Sequence, residues 1–226
     1  MDFNIEDLPS SSFNILLAKR RSGKSYLTEY IIEKMKDNNM LDVAILFSGT
    51  GAGFERVCPE HCRFNDIEML DIILKNYKTM NEYNKIQEKK KLKFTIKTAI
   101  IIDDLAIDLK SKKFSILEKL AVNGRHAAYP PLSLHIFVLS QSLTKIPRVV
   151  RLNCDCMIMN QVSSSNELKL VADENLYLTS HDLDSKREAM RYYEKIVEQQ
   201  YSFCVIELFR NHIVGLPDYI KKLRAI

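Results

Sequence analysis

A three-layer α/β domain built on a mainly parallel sheet is what the sequence predicts, and three segments predict it. The apolar run 13–18 leads into Lys19-Arg20-Arg21-Ser22-Gly23-Lys24-Ser25 and then a helical pattern. The run 98–102, Thr-Ala-Ile-Ile-Ile, ends in Asp103-Asp104, and the run 133–140 ends in Gln141. Runs this short and unbroken suit strands of a parallel sheet covered on both faces. Helical segments fall between them, as crossover connections between parallel strands require.

The remaining elements follow in order. A helix is expected over 24–36 and a second strand over 42–47. The stretch 48–53 holds three of the chain's six glycines and imitates a dinucleotide fingerprint. No helix pattern follows it at once, so a flexible loop at the C-terminal edge of the sheet is the better reading. The region 66–91 reads as a long helix, apolar at Ile67, Leu70, Ile73, Leu74 and Tyr77 and polar toward its end. A helix over 114–122 should close at Gly124, and Tyr129-Pro130-Pro131 should lead stiffly into the third run. A fifth strand is expected over 154–160, and a helix from Ser180-His181-Asp182 to about 199. The segments 202–209 and 212–214 read as a strand pair turning at Arg210-Asn211, and Pro217 as the start of a short helix. The whole, 1–226, is read as one domain, with a motif core over about 10–160 and a C-terminal extension over about 161–226.

Composition narrows the setting. Hydrophobic residues make up 46%, ordinary for a globular chain. No stretch approaches a membrane span, and Met1-Asp2-Phe3-Asn4 is not the start of a signal peptide. Five cysteines without a framework pattern suit a reducing compartment. Cys58, His61 and Cys62 form the one metal-like cluster, short of the four ligands that structural zinc takes. The net charge of +4 does not by itself declare a nucleic-acid binder. It is uneven, with lysines crowded over 85–97 and basic residues at Lys145, Arg148, Arg151, Lys221, Lys222 and Arg224. Such runs are commonly solvated faces.

The chemistry lies at the ends of the three runs. A strand, then Ala18 to Ser25, then a helix is the context of a phosphate-binding loop. Backbone N–H groups of such a loop surround a phosphate at a helix N-terminus whose dipole also favours an anion. Ala18, Lys19, Arg20, Arg21, Ser22, Gly23, Lys24, Ser25 and Tyr26 form the expected binding set for ATP. Lys24 supplies charge at the β- and γ-phosphates and the Ser25 hydroxyl holds Mg²⁺. Ala18 stands where the strict pattern has glycine, so the loop must turn there without glycine's freedom. Two adjacent carboxylates at a central strand end need a cation nearby, and Mg²⁺ at Asp103 meets that need. Asp104 then faces the γ-phosphate and orients or deprotonates the attacking water. Gln141 is placed as a γ-phosphate sensor, at the end of a strand inserted between those of the loop and the acidic pair. On position alone Arg125, in Asn123-Gly124-Arg125-His126, reads as a solvated charge at a helix end.

The order Ala-x-Arg-x-Ser-Gly-Lys-Ser, Ile-Ile-Ile-Asp-Asp, Gly-Arg-His and a strand ending in Ser-Gln resembles the FtsK–HerA superfamily. Within it, the genome-packaging ATPases of poxviruses, giant viruses and virophages are the nearest in pattern. The resemblance covers roughly 10–160 and implies a RecA-like, additional-strand (ASCE) P-loop NTPase. It implies the roles above for Lys24, Ser25, Asp103, Asp104 and Gln141, and makes Arg125 an arginine finger reaching a neighbour's nucleotide. Arg148 and Arg151 are rival fingers, and Arg20 or Arg21 would act in cis. Many related motors carry Glu where this chain has Asp104, a carboxylate one methylene shorter that would slow hydrolysis, although the viral branch resembles this chain in using Asp-Asp.

What the resemblance implies is an ATP-hydrolysing double-stranded DNA translocase. It would work as a ring homo-oligomer filling a capsid, with capsid proteins as further partners. The expected location is the host cytoplasm, a viral factory or the virion. Two other classes stay open: a small nucleotide kinase, and a nucleotide-binding assembly factor with little turnover. Phosphate transfer to a nucleoside monophosphate separates the first, and absent DNA stimulation the second.

Overall fold

Burial on both faces explains why the central strands are apolar throughout. In β1 (Ser12–Leu17) and β5 (Ser133–Ser140) every residue is buried. In β4 (Lys97–Asp103) only the two terminal residues are partly exposed. The computed structural model describes residues 3–50, 53–87, 93–103, 115–128, 130–162, 164–176, 183–209 and 220–224. The other strands are β2 (Val43–Ser48), β3 (Arg63–Phe64), β6 (Cys156–Met159), β7 (Ser202–Glu207) and β8 (Ile220–Arg224). Together they form one eight-stranded sheet in the order β3-β2-β4-β5-β1-β6-β7-β8. From β3 to β6 every pairing is parallel; β7 and β8 are antiparallel.

The helices are α1 (Lys24–Asp37), α2 (Met69–Ile86), α3 (Ser115–Ala127), α4 (Arg148–Leu152), α5 (Ser165–Val171) and α6 (Leu183–Val197). Alternate strand residues feed two cores. Leu16, Ile101 and Phe137 meet Leu27, Ile31 and Met35 of α1 on one face. Ile15, Ile100 and Ile136 meet Leu70 of α2, Leu117 of α3 and Tyr193 of α6 on the other. Each fully buried large side chain contributes about 1.5–3 kcal/mol, so the layering is set by the strands' two apolar faces.

Three expectations need correction. Residues 220–224 form β8, paired antiparallel with β7 at Val205↔Lys221, where a helix from Pro217 was expected. A period of two explains it: Lys221 and Leu223 are buried, and Glu207 and Asp7 compensate the Lys221 charge at 2.9 and 3.0 Å. Gly124 does not end α3, which runs through it to Ala127. The long helix starts later than expected, at Met69, after Glu68 N donates to Asp66 Oδ1, and ends at Ile86. The expected strand at 212–214 lies outside the described residues.

Register brings the three motif ends to one edge. Leu17 lies beside Ser140 and Asp103 beside Leu139, while Ala18 N donates to Ser140 O at 3.1 Å. Strand β5 stands between β1 and β4, as the sequence led us to expect.

Candidate nucleotide-binding site

The loop after β1 is shaped by two left-handed residues, Arg21 at φ 63° and Gly23 at φ 86°. Ala18 is not among the positive-φ residues and is 1% exposed, so the position lacking glycine needs no glycine. Ser22 Oγ donates to Lys19 O at 2.7 Å and closes the loop on itself. Gly23 is the N-cap of α1, and Leu27 N donates to its carbonyl at 2.8 Å. The free N–H groups of this first turn therefore begin where the loop ends.

An open cleft of about 290 Å³ lies against this loop, lined by Lys19, Arg20, Arg21, Gly23, Lys24, Ser25, Tyr26, Asp103 and Gln141. All nine belong to the expected site set, brought together from β1–α1, β4 and β5. Lys24 is buried, and its Nζ lies 3.8 Å from Asp103 Oδ1. Four cations and one carboxylate thus meet at a helix N-terminus, an arrangement suited to an anion. The Ser25 hydroxyl and Asp103 carboxylate are hard oxygen donors facing that seat, and this donor set fits Mg²⁺. Tyr26 is exposed, with the Arg56 guanidinium 5.9 Å from its ring centroid; Arg56 in turn pairs with Glu33 at 2.8 Å.

Asp104 lies outside the described residues. Arg125 belongs to α3, but its side chain also lies outside them. Arg151 is corrected: it is no candidate finger. It is 7% exposed and grips Glu174 with two bonds of 2.7 Å, while donating to Ile146 O at 2.6 Å. A guanidinium so buried and so fully paired has no reach to a neighbour. Arg148 is largely exposed, 3.6 Å from Glu174. Among the described residues no group of three or more His, Cys, Asp or Glu is arranged to hold a metal, and Cys58 is buried with its thiol pushed up to about 12 by desolvation.

Sequence reasoning missed the support beneath Gln141. Glu167 is buried and accepts from Leu143 N at 3.0 Å and from Ser142 Oγ, holding the turn that follows Gln141. A signal existed. Ser164-x-x-Glu167 is a capping-box pattern, and Ser164 Oγ does accept from Glu167 N at 3.2 Å. The Glu167 carboxylate then reaches across to the turn after β5.

No protein-family model matches the chain, and no curated protein matches it in sequence. Solved structures share its fold. The genome-packaging NTPase B204 from Sulfolobus turreted icosahedral virus 2, in complex with AMPPCP, has TM-score 0.60 at 18% identity, with 97% of this chain and 100% of that one covered. B204, the DNA-packaging ATPase from Sulfolobus turreted icosahedral virus, has TM-score 0.58 at 19% identity, covering 96% and 98%. The pCW3 conjugation coupling protein TcpA, monomer form with ATPγS, has TM-score 0.60 at 15% identity, covering 95% of this chain and 60% of that one. The chain has the P-loop NTPase fold of these proteins. Among the described residues no helix is long and apolar enough to cross a membrane.

Proposed function

We propose that this chain is a Mg²⁺-dependent ATPase that drives double-stranded DNA into a viral capsid as a ring of identical subunits. The observation that carries the chemistry is the meeting of Lys24, Asp103 and Gln141 at one cleft beside the N-terminus of α1. The fold held in common with genome-packaging NTPases supports the biological role. The loop's N–H groups and the Lys24 ammonium bind the triphosphate. Asp103, 3.8 Å from the Lys24 ammonium, helps hold it in place. Ser25 and Asp103 would hold Mg²⁺, which when bound would neutralise charge on the phosphates. Gln141 orients the γ-phosphate and the attacking water, and Asp104 takes that water's proton as the oxygen–phosphorus bond forms. The leaving diphosphate stays in the loop, where the same N–H groups stabilise its added charge.

Each subunit would present Arg125 to the neighbouring site, so hydrolysis passes around the ring and moves DNA through its centre. A ring multiplies the modest charge of one chain around a single channel. Such a protein works where virions assemble, in the host cytoplasm or a viral factory, with capsid proteins as further partners.

ATP hydrolysis measured with and without double-stranded DNA, at several protein concentrations and low salt, tests the reading. A rate that rises with DNA and steeply with concentration supports a ring motor with shared sites. A DNA-independent rate linear in protein overturns the motor and leaves a kinase or an assembly factor.

A further inference from the structure

One aromatic side chain touches the phosphate loop from a part of the chain the motifs do not include. A Cβ added to Gly23 would stand 3.3 Å from Tyr201 Cδ1 and 3.8 Å from Cε1. The Tyr201 ring therefore lies against the loop's last residue, yet the residue remains 45% exposed. One side of the ring meets the loop while much of the rest faces solvent.

The backbone holding this ring is strained. Ser202 N donates to Gln199 O at 3.1 Å, making a turn whose third residue is Tyr201, at φ 59°. Turns of that kind take glycine or asparagine there, because a Cβ is unfavourable at positive φ. A bulky aromatic at such a position costs stability that the rest of the fold must offset, and strain of this kind gathers at functional sites. The position is also fixed from the sheet. Asn160 N donates to Leu17 O at 3.0 Å and Asn160 Nδ2 to Ser202 O at 2.6 Å. Asn160, just after β6, thus ties the end of β1 through its backbone and the start of β7 through its side chain.

Direction completes the argument. In the sheet, Asp103 and Gln141 lie on the β4–β5 side of β1, whereas Tyr201 precedes β7, on the opposite side. A nucleotide whose terminal phosphate faces Asp103 and Gln141 extends its other end away from them, past Gly23 and toward Tyr201. We infer that Tyr201 is the platform on which the nucleobase stacks, an inference that rests on the nucleotide site proposed above. Stacking on an aromatic face needs no hydrogen-bond pattern, so the platform adds affinity for the base while the loop holds the phosphates.

The test separates base from phosphate. Binding of ATP and of inorganic tripolyphosphate is measured by calorimetry on the full chain and on Tyr201→Gly, a substitution suited to the positive φ. ATP affinity should fall about fivefold to a hundredfold, the range of base–aromatic stacking, with tripolyphosphate unchanged. Equal losses for both ligands would make Tyr201 a prop for the loop and overturn the inference, as would unchanged ATP affinity. The chain contains no tryptophan, so Tyr201→Trp supplies a lone tryptophan at the site, excited selectively over the remaining tyrosines. ATP should quench it and tripolyphosphate should not; the reverse, or quenching by neither, again overturns the platform. If the unaltered chain binds neither ligand, the phosphate site itself fails and the platform with it. If tripolyphosphate binds and loses affinity in Lys24→Ala, the phosphate site stands whatever Tyr201 does.

Discussion

The two ends of the central strands both carry polar clusters, and they differ in access and in charge. At the N-terminal end, Ser12 of β1 and Ser133 of β5 hold the buried His135 between them, at 2.9 Å to Nδ1 and 3.0 Å to Nε2. Ser133 Oγ donates to Ser10 O and therefore accepts from Nε2–H; Nδ1 accepts from the Ser12 hydroxyl, which in turn accepts from Asn14 at 2.8 Å. A serine–histidine pair is a nucleophile's signature in a cleft. Here the adjoining hollow is only about 10 Å³, room for about one water. At the C-terminal end, cations and Asp103 meet at an open cleft of about 290 Å³. Reactive residue types do not make a site; charge gathered where a ligand can enter does.

The largest expected effect separates chemistry from binding at the open end. Asp104→Asn should cut steady-state hydrolysis by about 10²- to 10⁴-fold, the usual worth of a general base, while nucleotide affinity holds in a filter-binding assay. Persisting turnover would move the base elsewhere. Lys24→Ala should weaken nucleotide binding by about 2–5 kcal/mol, as loss of one member of a buried charge pair does, read by calorimetry on the folded variant. Unchanged affinity would empty the cleft of its proposed role.

The closed end should answer to pH instead. Burial holds the His135 imidazole down at about 4, against an ordinary 6.5. As pH falls from 6.5 to 4 the unfolded chain takes up a proton that the folded chain refuses, so stability falls through that window. It is fully present above about pH 6.5 and is reduced by about 3 kcal/mol below pH 4. Denaturant unfolding across that range should show the slope, and His135→Gln should flatten it. The smallest effect expected is that of Ser12→Ala. It orphans His135 Nδ1 and should cost about 1–3 kcal/mol of stability with hydrolysis unaltered; a catalytic loss would bring the closed end into the mechanism.

Local pattern made much of this legible. A strand, a loop and a helix joined in sequence carry their own signal, so β1, Gly23 and α1 are readable as one unit, as are the apolar runs of β4 and β5. Arg151 misleads in sequence because its partner Glu174 is remote and its burial has no local sign. Lys221 misleads for the same reason: a lysine near a chain end reads as solvated, until Glu207 and Asp7 close around it. Glu167 went unread: the Ser164-x-x-Glu167 pattern is a local sign of a helix start, but nothing local points to the turn after β5 that its carboxylate holds.

By itself the sequence determined that β1, β2, β4, β5, β6 and β7 are strands, that most of them run parallel, and that a short basic loop joins β1 to α1, because these depend on neighbours within a few residues. Only the tertiary structure decided which polar groups meet. Sheet order and register place Lys24 at Asp103, close His135 between two serines, and lay Tyr201 on Gly23. Such contacts join residues far apart in the chain, and their energy depends on desolvation and charge pairing that exist only once the sheet has assembled.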